Sequence, residues 1–340
     1  MLKTTLALIS FVILSSALGI ERRADRPVFL RELVPSTDPL SRQDLCFDAR
    51  FANTALEYVR SGVPELMEAL AGMPASRHLL NHARQFDYDV PKTSALALVR
   101  SLLSPSGNLD AKSKEVETNI SYFTGPLIED PSWVRDVLDY LPEKFRFHGS
   151  LFLTFGYDIG VALAPNASLN AANSHFKEKP RELLYYAIHE LHHVGVMTYK
   201  KPPRISDLRT CADILRLVDY STELEGLGVL AARPRRTIEH ALQDDPDYVA
   251  LGNPEQMREL EKRYSEQYRY LQSRGAALAD KAAFDVVNRM SSGDRLWYRV
   301  GAMMSARIEN KLGRKALLQI IADDQPALVS TYRRLFPDEP

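Results

Sequence analysis

Through most of the chain, apolar positions recur three or four residues apart, the spacing that gathers them on one face of a helix. Between Leu45 and about Leu141 the pattern predicts helices, among them Phe51–Val59, Pro64–Ala71, Ser94–Leu103 and Pro131–Leu141, punctuated by Pro and Gly. The texture changes at Phe145. Residues 149–164 set aromatic and β-branched side chains around a Gly-Tyr-Asp-Ile-Gly turn, which predicts a β-hairpin. Helix returns after Pro180, a residue suited to a first helical turn because its missing N–H is not needed there. It is predicted to end near Tyr199, where Lys200 and Lys201 meet the negative end of the helix dipole and Pro202-Pro203 stop the helix. Further helices are predicted at Asp207–Ala232, with Tyr220 a candidate break, at Pro254–Ser273, Ala277–Met290 and Leu296–Leu312, and in two short C-terminal segments separated by Asp323–Pro326. The expected fold class is α+β, predominantly helical, with one small hairpin or sheet ahead of the helix that follows Pro180. The expected division is residues 1–19, a helical region 20–144, and a region 145–340 with C-terminal helices.

At 340 residues, 45% of them hydrophobic and 26% charged, the composition is that of an ordinary globular protein with a large core. A net charge of −1 gives no reason to expect nucleic acid or an anionic membrane surface as partner. The cluster Arg233-Pro234-Arg235-Arg236 reads as a solvated loop. Residues 1–19 begin with Met1-Leu2-Lys3, continue through the apolar run Leu6–Leu14 and end in small residues at Ala17 and Gly19. They read as a secretory signal peptide, which predicts a secreted or periplasmic protein with no membrane segment once it is cleaved. Cys46 and Cys211 would either pair after export or stay as two buried thiols.

The chemistry is concentrated at His189-Glu190-Leu191-His192-His193, an H-E-x-x-H motif in the helix after Pro180. Four residues make just over one helical turn, so His189 and His193 project from one face within reach of a single ion. Two imidazole nitrogens suit zinc, and Glu190 is placed to take a proton from water beside the metal. A catalytic zinc site takes a third protein ligand and leaves a position open. The segment Ser221–Leu230 offers two carboxylates for it, Glu223 and Glu225.

At this point the chain resembles the gluzincins, zinc hydrolases whose third ligand is a Glu on a second helix, in several families followed by Gly and an apolar residue. Glu225-Gly226-Leu227 matches that pattern and Glu223 does not, so the resemblance implies Glu225. Two features depart from it. A stretch of 31 residues separates His193 from Glu225, longer than in thermolysin-like enzymes, and Val229 stands where those enzymes carry an acid. A closer likeness is to an uncharacterised family of exported zinc-dependent peptidases. It rests on the predicted hairpin, His189–His193, Glu225-Gly226 and the stretch Tyr298–Met304, and covers roughly Phe145–Leu335. The likeness implies a zincin-like core, a metallopeptidase domain over 145–340, one Zn²⁺ ion and a peptide or protein substrate.

Other side chains carry weaker expectations. His192 lies about 60° from His189 and 100° from His193 on the helical wheel, which suits a supporting role rather than ligation. Tyr298 is a candidate donor to a developing oxyanion, with a plain core role as its rival; Tyr220 and His240 carry the same idea more weakly. Asp219 and Glu223 are candidates to accept the second N–H of the metal histidines. Val161–Ala164 is a candidate edge strand for substrate backbone. Asn119-Ile120-Ser121 and Asn166-Ala167-Ser168 match glycosylation sequons and are taken as chance. Three rival readings stand beside hydrolysis. One is an inactive zinc-site protein that binds a peptide or metal. A di-iron centre would use Glu190 and His193 but has no second Glu-x-x-His pair. A membrane hydroxylase would use His189, His192 and His193 but lacks the remaining histidine boxes.

Overall fold

A computed structural model describes residues 26–104 and 109–338; the expected signal peptide lies outside the described residues. The chain divides into two compact units. One comprises the chain up to Arg84, Tyr88–Ser132 and Arg146–Ala187; the other comprises Gln85–Asp87, Trp133–Phe145 and everything from Ile188 onward.

The first unit is built on a five-stranded mixed sheet with strands β1 (Val28–Phe29), β2 (Asp44–Asp48), β3 (His148–Thr154), β4 (Gly160–Leu163) and β5 (Asn166–Asn170), in the order β1-β2-β3-β5-β4. β2 pairs with β3 and β3 with β5 in parallel, while β1 and β4 are antiparallel edges. Phe47, Leu151, Leu153, Ala167 and Leu169 are buried at its centre. Helices α1 (Arg50–Ser61), α2 (Pro64–Gly72), α3 (Pro74–Gln85), α4 (Ala95–Leu102) and α5 (Leu109–Tyr122) complete the unit. Two expectations are corrected here. Asp44–Asp48 is a strand, because its three-residue apolar run Leu45-Cys46-Phe47 satisfies a helical and an extended pattern equally. The hairpin is not closed by Gly-Tyr-Asp-Ile-Gly. It is the β4–β5 pair, closed by the two-residue turn Ala164-Pro165 between Leu163 and Asn166. The 155–159 segment is drawn onto α3 and the residues after it instead: Tyr157 donates to the Leu79 carbonyl (2.9 Å), and Asp158 accepts from Tyr88 (2.7 Å).

The second unit is helical: α6 (Val134–Leu138), α7 (Glu182–Tyr199, which belongs to this unit from Ile188), α8 (Cys211–Ile238), α9 (Pro246–Leu251), α10 (Pro254–Arg274), α11 (Lys281–Ser291), α12 (Leu296–Leu312), α13 (Arg314–Ala322) and α14 (Leu328–Leu335). α7 ends at Tyr199 as its Lys-Lys-Pro-Pro tail predicts. α8 opens with a capping box, Thr210 accepting from the Asp213 amide while Asp213 accepts from Thr210. It runs unbroken through Tyr220 for 28 residues, buried on nearly every side because α10, α12 and α14 all pack on it. The predicted solvated loop at residues 233–236 is part of this helix: buried Arg236 pairs with Asp245 (3.3 Å) and lies over the Tyr248 ring, and Arg235 pairs with Asp136 (2.7 Å). Both cysteines are buried free thiols. No helix among the described residues is long and apolar enough to cross a membrane.

Candidate metal centre

His189 and His193 stand one turn apart on α7, with ring centroids 4.3 Å apart. Opposite them on α8, Glu225 accepts from both Nε2 atoms through a single oxygen, Oε2, at 3.1 Å each. The three candidate ligand atoms all lie within 4.8 Å of one another. Zinc bonds of 2.0–2.1 Å in a tetrahedron put neighbouring ligand atoms about 3.3 Å apart, so the set fits a zinc ion with little adjustment. The side chains are mostly but not wholly buried, at 12% exposure for His189, 5% for His193 and 17% for Glu225. A small ligand thus has an approach.

Charge in this set is shared unevenly. Burial alone would raise the Glu225 carboxyl, but the facing His193 and His189 outweigh it and hold it far below the ordinary carboxylate range. Burial, then the neighbouring His193 and more weakly the Arg295 cation, push His189 down to about 4. Burial also disfavours charge on His193, yet Glu225 and Glu190 turn the balance and raise it. An anionic Glu225 and a neutral His189 are the forms that bind a metal ion.

Backbone packing sets how closely the two helices approach. A Cβ on Gly228 would meet His189 Cε1 and His193 Cε1 at 2.8 Å, so only glycine lets α8 lie against both rings. A Cβ on Gly226 would meet the Gly301 backbone at 2.3 Å, and one on Gly301 would meet the Thr222 carbonyl at 2.4 Å. The glycine after Glu225 therefore serves the crossing of α8 with α12 rather than the ion.

The remaining expected residues fall in distinct places. Glu190 is buried beside the pair, and its charge is felt at His193. His192 is fully buried and bonds the Tyr140 carbonyl through Nε2 at 2.9 Å, which ties α7 to the segment after α6. Glu223 points to Lys200 and to the amides of Ala327 and Leu328, and Asp219 accepts from Tyr268 (3.0 Å). Neither is bonded to the ligand histidines. Tyr298 lies with its ring 6.2 Å from that of His189 and within 11° of parallel. Tyr220 is buried on α8 with no hydrogen-bond partner for its hydroxyl, and His240 is exposed past the end of α8. The edge position expected of Val161–Ala164 belongs to β4, but the Val161 carbonyl is already bonded by His78 Nε2 at 3.3 Å. Asn119 is buried and donates to the Ala171 carbonyl at 2.8 Å, so its sequon is inaccessible.

Sequence reasoning missed Gly228, Lys200 as the partner of Glu223, and Arg295 with its anchor Asp247. Gly228, three residues after Glu225 on an otherwise bulky helix, was the one with a visible signal.

No curated protein and no solved structure matches the chain. A family model matches residues 131–336, more than half of the sequence and including the whole His189, His193 and Glu225 set. On that match the chain belongs to the family described as "Putative zinc dependent peptidase (DUF5700)".

Proposed function

We propose that the protein is an exported peptidase in which His189, His193 and Glu225 hold one zinc ion and Glu190 is the general base. The observation that carries this reading is the convergence of two Nε2 atoms on one carboxylate oxygen at 3.1 Å each, with all three candidate ligand atoms within 4.8 Å of one another. The zinc dependence in the family's description agrees with it. Zinc in such a site would polarise the scissile carbonyl and bring the pKa of water near 7.

The chain's own residues do the rest. Glu190, next to His189 in sequence and buried, would accept the proton of the attacking water and pass it to the leaving amine. Tyr298, beside His189, is the candidate donor to the carbonyl oxygen as it gains charge. His192 keeps the motif's helix in register through the Tyr140 carbonyl and takes no part in the chemistry. Export rests on the leader-like character of residues 1–19.

The test joins metal content to turnover. Glu190→Gln is expected to keep equimolar zinc and to lose about 10²–10⁴-fold in peptide hydrolysis, the usual worth of a general base. Glu225→Ala is expected to lose zinc. Hydrolysis at the wild-type rate by Glu190→Gln would overturn the mechanism. A wild-type protein that binds zinc yet cleaves nothing across a peptide library would favour the rival reading, a binding protein.

A further inference from the structure

The second unit carries a cavity of about 610 Å³ whose lining includes none of the candidate metal ligands. It lies between the end of α7 and the segment after it, the first three turns of α8, and the stretch that joins α13 to α14. A volume of this size is in the range of small-molecule sites. Pro203, Leu208 and Pro326 give it apolar wall, and Tyr199 and Tyr220 add aromatic surface.

Most of the charge on this lining is already matched. Lys200 is held by Glu223 and by the carbonyls of Ile320 (2.6 Å) and Gln325 (3.0 Å), and Arg216 pairs with Asp213. Two exposed cations, Lys201 and Arg204, are equalled by two exposed carboxylates, Asp207 and Asp324. Asp219 is left over. Its Oδ1 accepts from the Tyr268 hydroxyl at 3.0 Å, and no cation among the described residues lies within ion-pair distance of it. Arg333, over the face of the Tyr268 ring, acts on the carboxyl only from farther off. Burial outweighs the Tyr268 bond and Arg333 and pushes the group up to about 6, as befits a carboxylate short of counter-charge. Tyr220, the next residue on α8, lines the same cavity at 3% exposure. Its hydroxyl has no hydrogen-bond partner, a condition rare among buried polar atoms.

We infer that this cavity is a second ligand site, taking an organic cation, an ammonium or guanidinium on an apolar stem, with Asp219 as its counter-ion. The Tyr268 hydroxyl holds the carboxylate in place through Oδ1, so the other oxygen is oriented in advance to accept from the cation. Pro203, Leu208 and Pro326 suit the stem, much as basic side chains bury their methylenes beside a paired charge. Aromatic faces in the same wall favour a cation further. Two sources share this chemistry: a free amine, and the lysine or arginine side chain of a peptide.

Calorimetric titration of the full chain tests this with pentylamine, with pentan-1-ol as its uncharged counterpart, and with Nα-acetyl-lysine methylamide. Pentylamine is expected to bind about 10- to 100-fold more tightly than the alcohol, the worth of a hydrogen bond to a charged group. The capped lysine matches the free amine if the cavity admits a peptide's side chain, and fails to bind if only free amines enter. Asp219→Asn keeps an acceptor for Tyr268 and should erase the preference for the amine. Asp324→Asn, at an exposed carboxylate of the same lining, should leave that preference within about twofold. No binding of the amine, equal affinity for amine and alcohol, a preference that survives Asp219→Asn, or equal losses in the two variants overturns the assignment. The comparison of amine with alcohol needs only the wild type, so it refutes the site even where Asp219→Asn does not fold. Zinc and turnover do not enter the measurement, and its outcome is independent of the peptidase reading.

Discussion

At the scale of single residues, the candidate centre depends on an atom that is missing. Gly228 supplies no ligand, yet any Cβ there would press on both imidazoles at 2.8 Å. Gly228→Ala should therefore push the rings off their common focus and weaken zinc binding about 10- to 100-fold, the range seen when supports of metal ligands are changed. Competition against a chelating dye measures this, with the melting temperature as control. Unchanged zinc affinity would mean that the rings yield without cost. The contrast with the candidate ligands explains what could be read in advance. The approach of His189 to His193 was legible because helical geometry alone brings positions four apart together. The choice of Glu225 over Glu223 came from a resemblance, and the structure adds its physical side: Glu223 is committed to Lys200 and two backbone amides, while Glu225 faces both rings. Gly228, Asp247 and Arg295 act through contacts far apart in sequence, which no local spacing encodes.

At the scale of elements, the helix carrying the histidines and the helix carrying Glu225 are clamped behind the centre by a buried ion pair. Lys200, just past the end of α7, donates to Glu223 on α8 and to the carbonyls of Ile320 (2.6 Å) and Gln325 (3.0 Å). Glu223 in turn accepts from the amides of Ala327 (2.8 Å) and Leu328 (3.1 Å) at the start of α14. Every ammonium hydrogen has a partner and both carboxylate oxygens are used, which is the condition under which a buried pair is tolerated. Lys200→Met leaves a buried carboxylate without its counter-ion and should cost about 3–5 kcal/mol, whereas Lys200→Met with Glu223→Leu should recover most of that loss. Denaturant unfolding distinguishes the two. A single substitution that costs nothing would deny the clamp. Helix boundaries were legible where caps and stops are local, as at Tyr199 and at Pro254 after its Asn253 cap. Strand partners were not. A glycine-rich turn signal at 156–160 competed with Ala164-Pro165, and the winner was set by contacts of Tyr157 and Asp158 with α3 and the residues after it.

At the scale of the whole molecule, stability should carry the signature of a histidine that folding keeps neutral. His78 on α3 is 5% exposed, and burial pushes its pKa from 6.5 to about 4, against the milder pull of the Val161 carbonyl that its Nε2 bonds. Unfolded chains take up a proton at this imidazole as pH falls through 6.5; folded chains refuse it until about 4. The unfolded state thus binds more protons throughout that window, so stability falls as pH drops from 6.5 to 4 and is unaffected by this group above 6.5. A shift of this size corresponds to about 3 kcal/mol at most. His78→Gln keeps a donor for the Val161 carbonyl and removes the titration. Subtracting its unfolding free energies from those of the wild type cancels the carboxylates and His192, which burial pushes down to about 3 and which titrates alike in both proteins. The difference should rise with pH between 4 and 6.5 and then level off. A flat difference across that window would mean that His78 titrates in the folded protein as it does in the unfolded chain, and that the covering of the Val161 carbonyl at the β4 edge is open to water.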